Sequence, residues 1–154
     1  MTTSTTRAVP QGARSIPVPG KETGVRLNEQ HLHTRRITVG LGLAVVAAIH
    51  VLDLPGKFAE TPYLAYAYIG LIIAAVVILE RVLVVGSRID FLAATVLSAL
   101  VLVAFVINRT VGMPLATGDI GNWFEPLGLL SLVVEAFVIW QSLVALALHH
   151  PAAH

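Results

Sequence analysis

The sequence predicts an all-α integral membrane protein, a four-helix bundle, and three observations predict it. Of its 154 residues, 56% are hydrophobic and 12% are charged, against about 25% charged in an ordinary soluble domain. The mean hydropathy is +0.80. The apolar residues gather into four blocks, with most charges before or between them. Each block is about 20 residues long, and at about 1.5 Å of rise per residue that spans a bilayer core of about 30 Å. No block shows sustained period-two alternation, which excludes membrane strands.

Residues 1–36 precede the first block. Up to about Lys21 they are rich in Thr, Ser, Pro and Gly, with no apolar face to bury. They lack the apolar core that follows the basic start of a signal peptide. This part is predicted as a flexible cytoplasmic tail, and residues 22–36 as a polar segment lying at the membrane interface. His31 and His33 sit two apart and do not share a helix face, which argues against a metal site there.

The first predicted span is 37–54, with Gly40 and Gly42 small enough for close helix contact. Pro55-Gly56 is read as its stop. The second span, 64–85, opens with Tyr63, Tyr66 and Tyr68, rings that favour the headgroup level. Glu80 and Arg81 near its end are expected to pair locally or to reach water. Gly86-Ser87-Arg88 forms a turn, and the third span covers 89–107 with Asp90 in its first turn, where the helix dipole favours a carboxylate.

Residues 108–125 hold Gly112, Pro114, Gly118 and Gly121 and are too broken for another span. Their apolar residues, Met113, Leu115, Ile120, Trp123 and Phe124, predict a loop folded onto the membrane or back into the bundle. The fourth span is 126–148, with Pro126 in its first turn. Residues 149–154 form a short cytoplasmic tail.

Charge sets the orientation. With the N-terminus inside, Arg7, Arg14, Lys21, Arg26, Arg35, Arg36, Arg81 and Arg88 face the cytoplasm, and only Lys57 and Arg109 face out. That follows the positive-inside tendency and places both termini in the cytoplasm. The formal net charge of +1 offers no basic excess for nucleic acid. The absence of cysteine excludes disulfides, thiolate zinc sites and thiol redox centres. No HExxH, GxSxG or P-loop is present, and only His50 lies inside a predicted span, so a paired-histidine haem bundle is excluded as well.

This threading brings polar residues together on the outer side: His50 and Asp53 from the first span, Arg109 after the third, Asp119, Trp123 and Glu125 from the loop, and Glu135 within the fourth span. A carboxylate at mid-membrane costs about 3 kcal/mol on insertion scales. Glu135 must therefore face the bundle, hold a proton or find a partner, and His50 and Arg109 are the candidates. It serves either as polar glue between helices or as a relay or ligand. His50, Asp53 and Glu135 would make a three-ligand set for a divalent cation if the first and fourth helices pack together. Glu80 and Gln141 would give a second polar contact toward the inner half. The string 118–126, Gly-Asp-Ile-Gly-Asn-Trp-Phe-Glu-Pro, reads either as a helix start or as a cap over a small cavity closed by Asp119 and Glu125.

The strings 50–66, HVLDLPGKFAETPYLAY, and 108–128, NRTVGMPLATGDIGNWFEPLG, resemble an uncharacterised family of small four-helix membrane proteins from actinobacteria. The likeness covers roughly residues 50–141. It implies the same topology in a bacterial plasma membrane and singles out His50, Arg109, Asp119, Trp123, Glu125 and Glu135. It implies no activity. The chain departs from the family pattern in having Phe124 between Trp123 and Glu125, and Gly118 where the family carries a further acid. A looser similarity in size and topology links it to the DoxX-like membrane proteins.

The expected role is an accessory or assembly subunit of a plasma-membrane complex, non-catalytic, with lipids and other membrane subunits or copies of itself as partners. The alternatives are an ion- or proton-handling protein using the His/Asp/Glu cluster, and a small quinone-interacting redox protein.

Overall fold

The structure is a computed structural model, and it describes residues 19–149. The predicted flexible tail falls largely on residues 1–18, and most of the C-terminal tail on 150–154; both lie outside the described residues. Four α-helices follow one another: α1 (Pro19–Glu60), α2 (Pro62–Val84), α3 (Arg88–Thr110) and α4 (Pro126–Leu148). A 3-10 turn, Thr117–Asp119, interrupts the loop between α3 and α4. All four helices are long and apolar enough to cross a membrane. Helices α2, α3 and α4 lie within three residues of the predicted spans at either end.

Helix α1 differs most from the reading of the sequence. Residues 19–36 continue the helix of the first span and form no separate segment, and Pro55-Gly56 does not stop it. Proline inside a helix removes one backbone hydrogen bond and costs about 3 kcal/mol. Contacts on both sides of Pro55 brace the continuous helix. Asp53, just before the proline, accepts from the Tyr68 hydroxyl at 3.1 Å. Lys57, just after it, lies 3.6 Å from Glu60 and 3.6 Å from Asp119. The helix gives way at Thr61, whose N–H still bonds the Lys57 carbonyl at 2.8 Å.

The helices pack α1 on α2, α3 on α4 and α1 on α4, with α2 and α3 making the sparsest of these contacts. Val39, Leu43 and Val46 of α1, Ala75 and Val82 of α2, Phe91 and Ala94 of α3, and Val138 and Ala145 of α4 form the core. The expected close approach at Gly40 and Gly42 is present. A Cβ on Gly40 would fall 2.8 Å from Leu83 of α2, and one on Gly42 would fall 2.5 Å from Val138 of α4. Many other large apolar side chains are exposed, Val84 and Ile89 at 73% among them. Apolar side chains thus fill the core and also cover much of the bundle's surface.

The end holding the α2–α3 turn is pinned by charge. Asp90 forms a reciprocal capping box with Ser87 and takes Arg81 Nε at 2.7 Å. Arg81 therefore pairs with Asp90, not with its neighbour Glu80. Arg36 donates to the carbonyls of Val82 at 3.1 Å and Val84 at 3.0 Å, tying α1 to the end of α2. Gly86, at φ +62°, lets the chain turn beneath that guanidinium. Gln141 accepts from Arg35, so the expected Glu80–Gln141 contact is replaced by one between α1 and α4.

Candidate functional site

At the opposite end of the bundle a cavity of about 290 Å³ lies between the helices. Its deeper wall is apolar: Leu71 of α2 and Leu97 and Val101 of α3. Its mouth is polar: His50, Asp53 and Lys57 of α1, Tyr68 of α2, Asn108 and Arg109 of α3, and Glu125 ahead of α4. Ala67 of α2 and Leu100 and Ala104 of α3 also line it, and all three are exposed. The cavity is thus thinly walled on the side where α2 and α3 pack least.

Arg109 organises the mouth. It is 4% exposed, and its guanidinium lies 2.6 Å from Glu125 Oε2 and 3.1 Å from Asp119 Oδ1. The face of the Phe105 ring lies 5.0 Å from the same cation, a cation–π contact strengthened by burial. Two side-chain forks and a ring thus hold a charge that would otherwise be costly to bury. Gly128 makes room for them: a Cβ there would come within 2.6 Å of Phe105 and 2.9 Å of Glu125 Oε2.

Asp119 is the second hub. Asn108 Nδ2 donates to it at 2.9 Å, and Lys57 approaches at 3.6 Å from α1. Burial acts to raise its pKa, but the Asn108 hydrogen bond and the cations of Lys57 and Arg109 outweigh that and hold the carboxyl below the usual range. The loop is fastened again by the Gly121 N–H, which bonds the Arg109 carbonyl at 2.9 Å, and by the Tyr63 hydroxyl, which bonds the Pro114 carbonyl. This arrangement fits the cap reading of the 118–126 string, because Glu125 lines the cavity while Asp119 locks the cation above it. As a plain helix start the string is weak, since Glu125 makes no side-chain capping bond to α4.

His50, 5% exposed, binds the Val46 carbonyl through Nδ1 at 2.8 Å. A carbonyl only accepts, so Nδ1 carries the hydrogen and Nε2 is the nitrogen left for whatever enters the cavity. The Tyr68 ring meets the His50 ring edge-on, centroids 4.8 Å apart. In the sequence Tyr68 stands as one of three interfacial aromatics, and the structure pairs it with Asp53 and His50. The i, i+5 spacing from Tyr63 carries no signal that would set it apart.

The expected cluster assembles in part. His50, Asp53, Arg109, Asp119 and Glu125 meet at one end. Trp123 is close but does not line the cavity; it packs on Phe105 with centroids 6.1 Å apart. Glu135 does not join. It is fully buried, and it pairs with neither His50 nor Arg109, whose polar groups are directed elsewhere. Ser131, one turn before it, is the α4 residue that reaches the cavity floor. Among the described residues no group of three or more His, Asp and Glu side chains is placed to hold a metal ion. The His50–Asp53–Glu135 set is thereby corrected: Asp53 turns to Tyr68, His50 to its own helix, and Glu135 lies below the cavity.

Fold and site together define a class, a bundle of four bilayer-length helices with a polar-mouthed, apolar-walled cavity at one end. Comparison with family models, curated proteins and solved structures returns no match for the chain.

Proposed function

We propose that the chain is a multi-pass membrane protein, with both termini cytoplasmic, that binds a small amphipathic molecule drawn from the bilayer into the loop-end cavity. The observation that carries this reading is the cavity's construction, apolar in depth and polar at the mouth, with the exposed Ala67, Leu100 and Ala104 as its thin wall between α2 and α3. Such pockets bury an apolar body and orient it through a few polar groups. The head it suits is uncharged. Both mouth cations are already paired, Lys57 with Glu60 and Asp119, and Arg109 with Asp119 and Glu125. A carbonyl or hydroxyl head of the quinone or quinol kind would meet His50 and Tyr68.

The test is a titration of the purified protein in lipid nanodiscs with a short-chain quinone, read by tryptophan fluorescence. Trp123 packs on Phe105, which lines the cavity. Saturable quenching that is lost in Ala104→Phe supports the reading. Quenching that is unsaturable, or unchanged in that variant, contradicts it for this ligand class. Mass spectrometry of lipids retained by the native protein extends the test to other amphipaths.

A second reading, an accessory or assembly subunit, is favoured by Gly70 on α2. Nothing lies within 4 Å of a Cβ placed there, and Ala74 follows one turn later, a spacing that lets a second helix approach closely. Loss of association in Gly70→Leu, measured by light scattering in detergent, would support it.

A further inference from the structure

Glu135 sits in the middle of α4, fully buried, and neither carboxyl oxygen has a hydrogen-bond partner. The group facing it is the Ser98 hydroxyl of α3, which is itself buried and unpartnered. Among the described residues no counterion pairs with it along the packed helices. Residues 37–49 of α1 and 91–107 of α3 contain no titratable or charged side chain. On α2, residues 69–79 contain none either. The first ones met are His50, Tyr68 and Arg109 toward the cavity and Arg36, Glu80, Arg81, Asp90 and His149 toward the other end. His50 is bonded to Val46, Arg36 to α2 carbonyls, and Arg81 to Asp90.

An ionised carboxylate left alone in such surroundings is costly, while the neutral acid is tolerated. The two directions along α4 are not equivalent. One turn toward the loop end, Ser131 lines the cavity. Toward the other end, Val138 is fully buried and packed against the backbone of Gly42, with Val39 and Leu43 completing an apolar plug. That plug separates Glu135 from the next polar group on this face of α4, the buried Ser142 hydroxyl, so the shorter approach for water is from the cavity.

We propose that Glu135 is a proton-exchanging carboxyl served from the loop-end cavity by way of Ser131 and sealed from the opposite end. On release, the carboxyl O–H bond breaks, and the proton passes to a water entering from the cavity and from there to bulk. The carboxylate left behind accepts hydrogen bonds from the Ser98 hydroxyl and that water. Uptake is the reverse. The inference uses the cavity as a water route and holds whether or not an amphipathic ligand binds there.

The test is infrared spectroscopy of the purified protein in lipid, following the C=O stretch of a protonated carboxylic acid as pH is cycled. The expected result is a band that disappears reversibly as pH rises, is missing in Glu135→Gln and is displaced in Glu135→Asp. Its shift on transfer to heavy water should be fast in the native chain and slowed in Ser131→Leu. Size-exclusion chromatography and circular dichroism establish that each variant is folded, and the native chain's own pH response stands if one is not. A Glu135 band that persists at every pH marks a locked structural acid and overturns the proposal, as does its absence at every pH. Exchange as fast in folded Ser131→Leu as in the native chain overturns the route.

Discussion

The guanidinium of Arg109 lies 2.6 Å from Glu125 Oε2, joining the last turn of α3 to the residue that precedes α4. The intervening loop, Val111 to Phe124, is thereby closed by a bond that does not depend on the loop's own regularity. The same guanidinium holds Asp119 in mid-loop, so one buried cation fixes the geometry of the cavity mouth.

Removing that cation leaves Glu125 without its partner and Asp119 with only Asn108 and Lys57. Arg109→Met is expected to destabilise the fold by about 3 kcal/mol, the low end for breaking a buried ion pair from one side. Arg109→Lys should lose less, keeping charge but not the two-pronged fork. Thermal unfolding in detergent, followed by circular dichroism, checks both.

Asp119 makes the mouth sensitive to acid. Its folded pKa lies below the unfolded value of about 3.9. Its stabilisation is therefore fully present above that unfolded value and is lost as pH falls through the folded one. The melting temperature should drop on the acid side of about pH 4, and Asp119→Asn should flatten that limb while lowering the neutral-pH plateau.

Gly86 and Arg36 are expected to be coupled. A Cβ on Gly86 would lie 2.0 Å from Arg36 Nε, and the φ of +62° is itself unfavourable for alanine. Gly86→Ala should cost about 1–3 kcal/mol, the range for such backbone strain with a displaced side chain. In the Arg36→Ala background the cost should shrink to the backbone part alone, which a double-mutant cycle measures.

The cavity can be closed without touching its polar mouth. Ala104→Phe is expected to change stability by about 0.5 kcal/mol or less, as an exposed substitution, while removing binding of an amphipathic ligand. A parallel loss of both would mean that the cavity is part of the packing.

Much of this was legible in the sequence, and the rest was hidden for physical reasons. Long apolar blocks declare helices because a bilayer tolerates little else, so α2, α3 and α4 fall where hydropathy puts them. The run of α1 through Pro55 was not legible, because a local stop signal was overridden by contacts of Asp53 and Lys57 with residues distant in sequence. Helix rotation is also silent in so apolar a chain. It decided that Tyr68 meets Asp53, that Arg35 meets Gln141, and that Glu135 faces Ser98, not His50. Ser98 and Gly128, a small polar residue and a glycine among aliphatics, carried no signal that would mark them.

The central claim is that the helices cross a bilayer and carry the Arg109–Glu125 mouth to the face opposite the termini. The chain has no cysteine, so single cysteines at Gln30 and Thr117, both exposed, can be probed in intact cells with a membrane-impermeant maleimide. Gln30→Cys should react only after the membrane is permeabilised, and Thr117→Cys should react before it. Labelling of both from the same side, or recovery of the chain in the soluble fraction, would contradict the account.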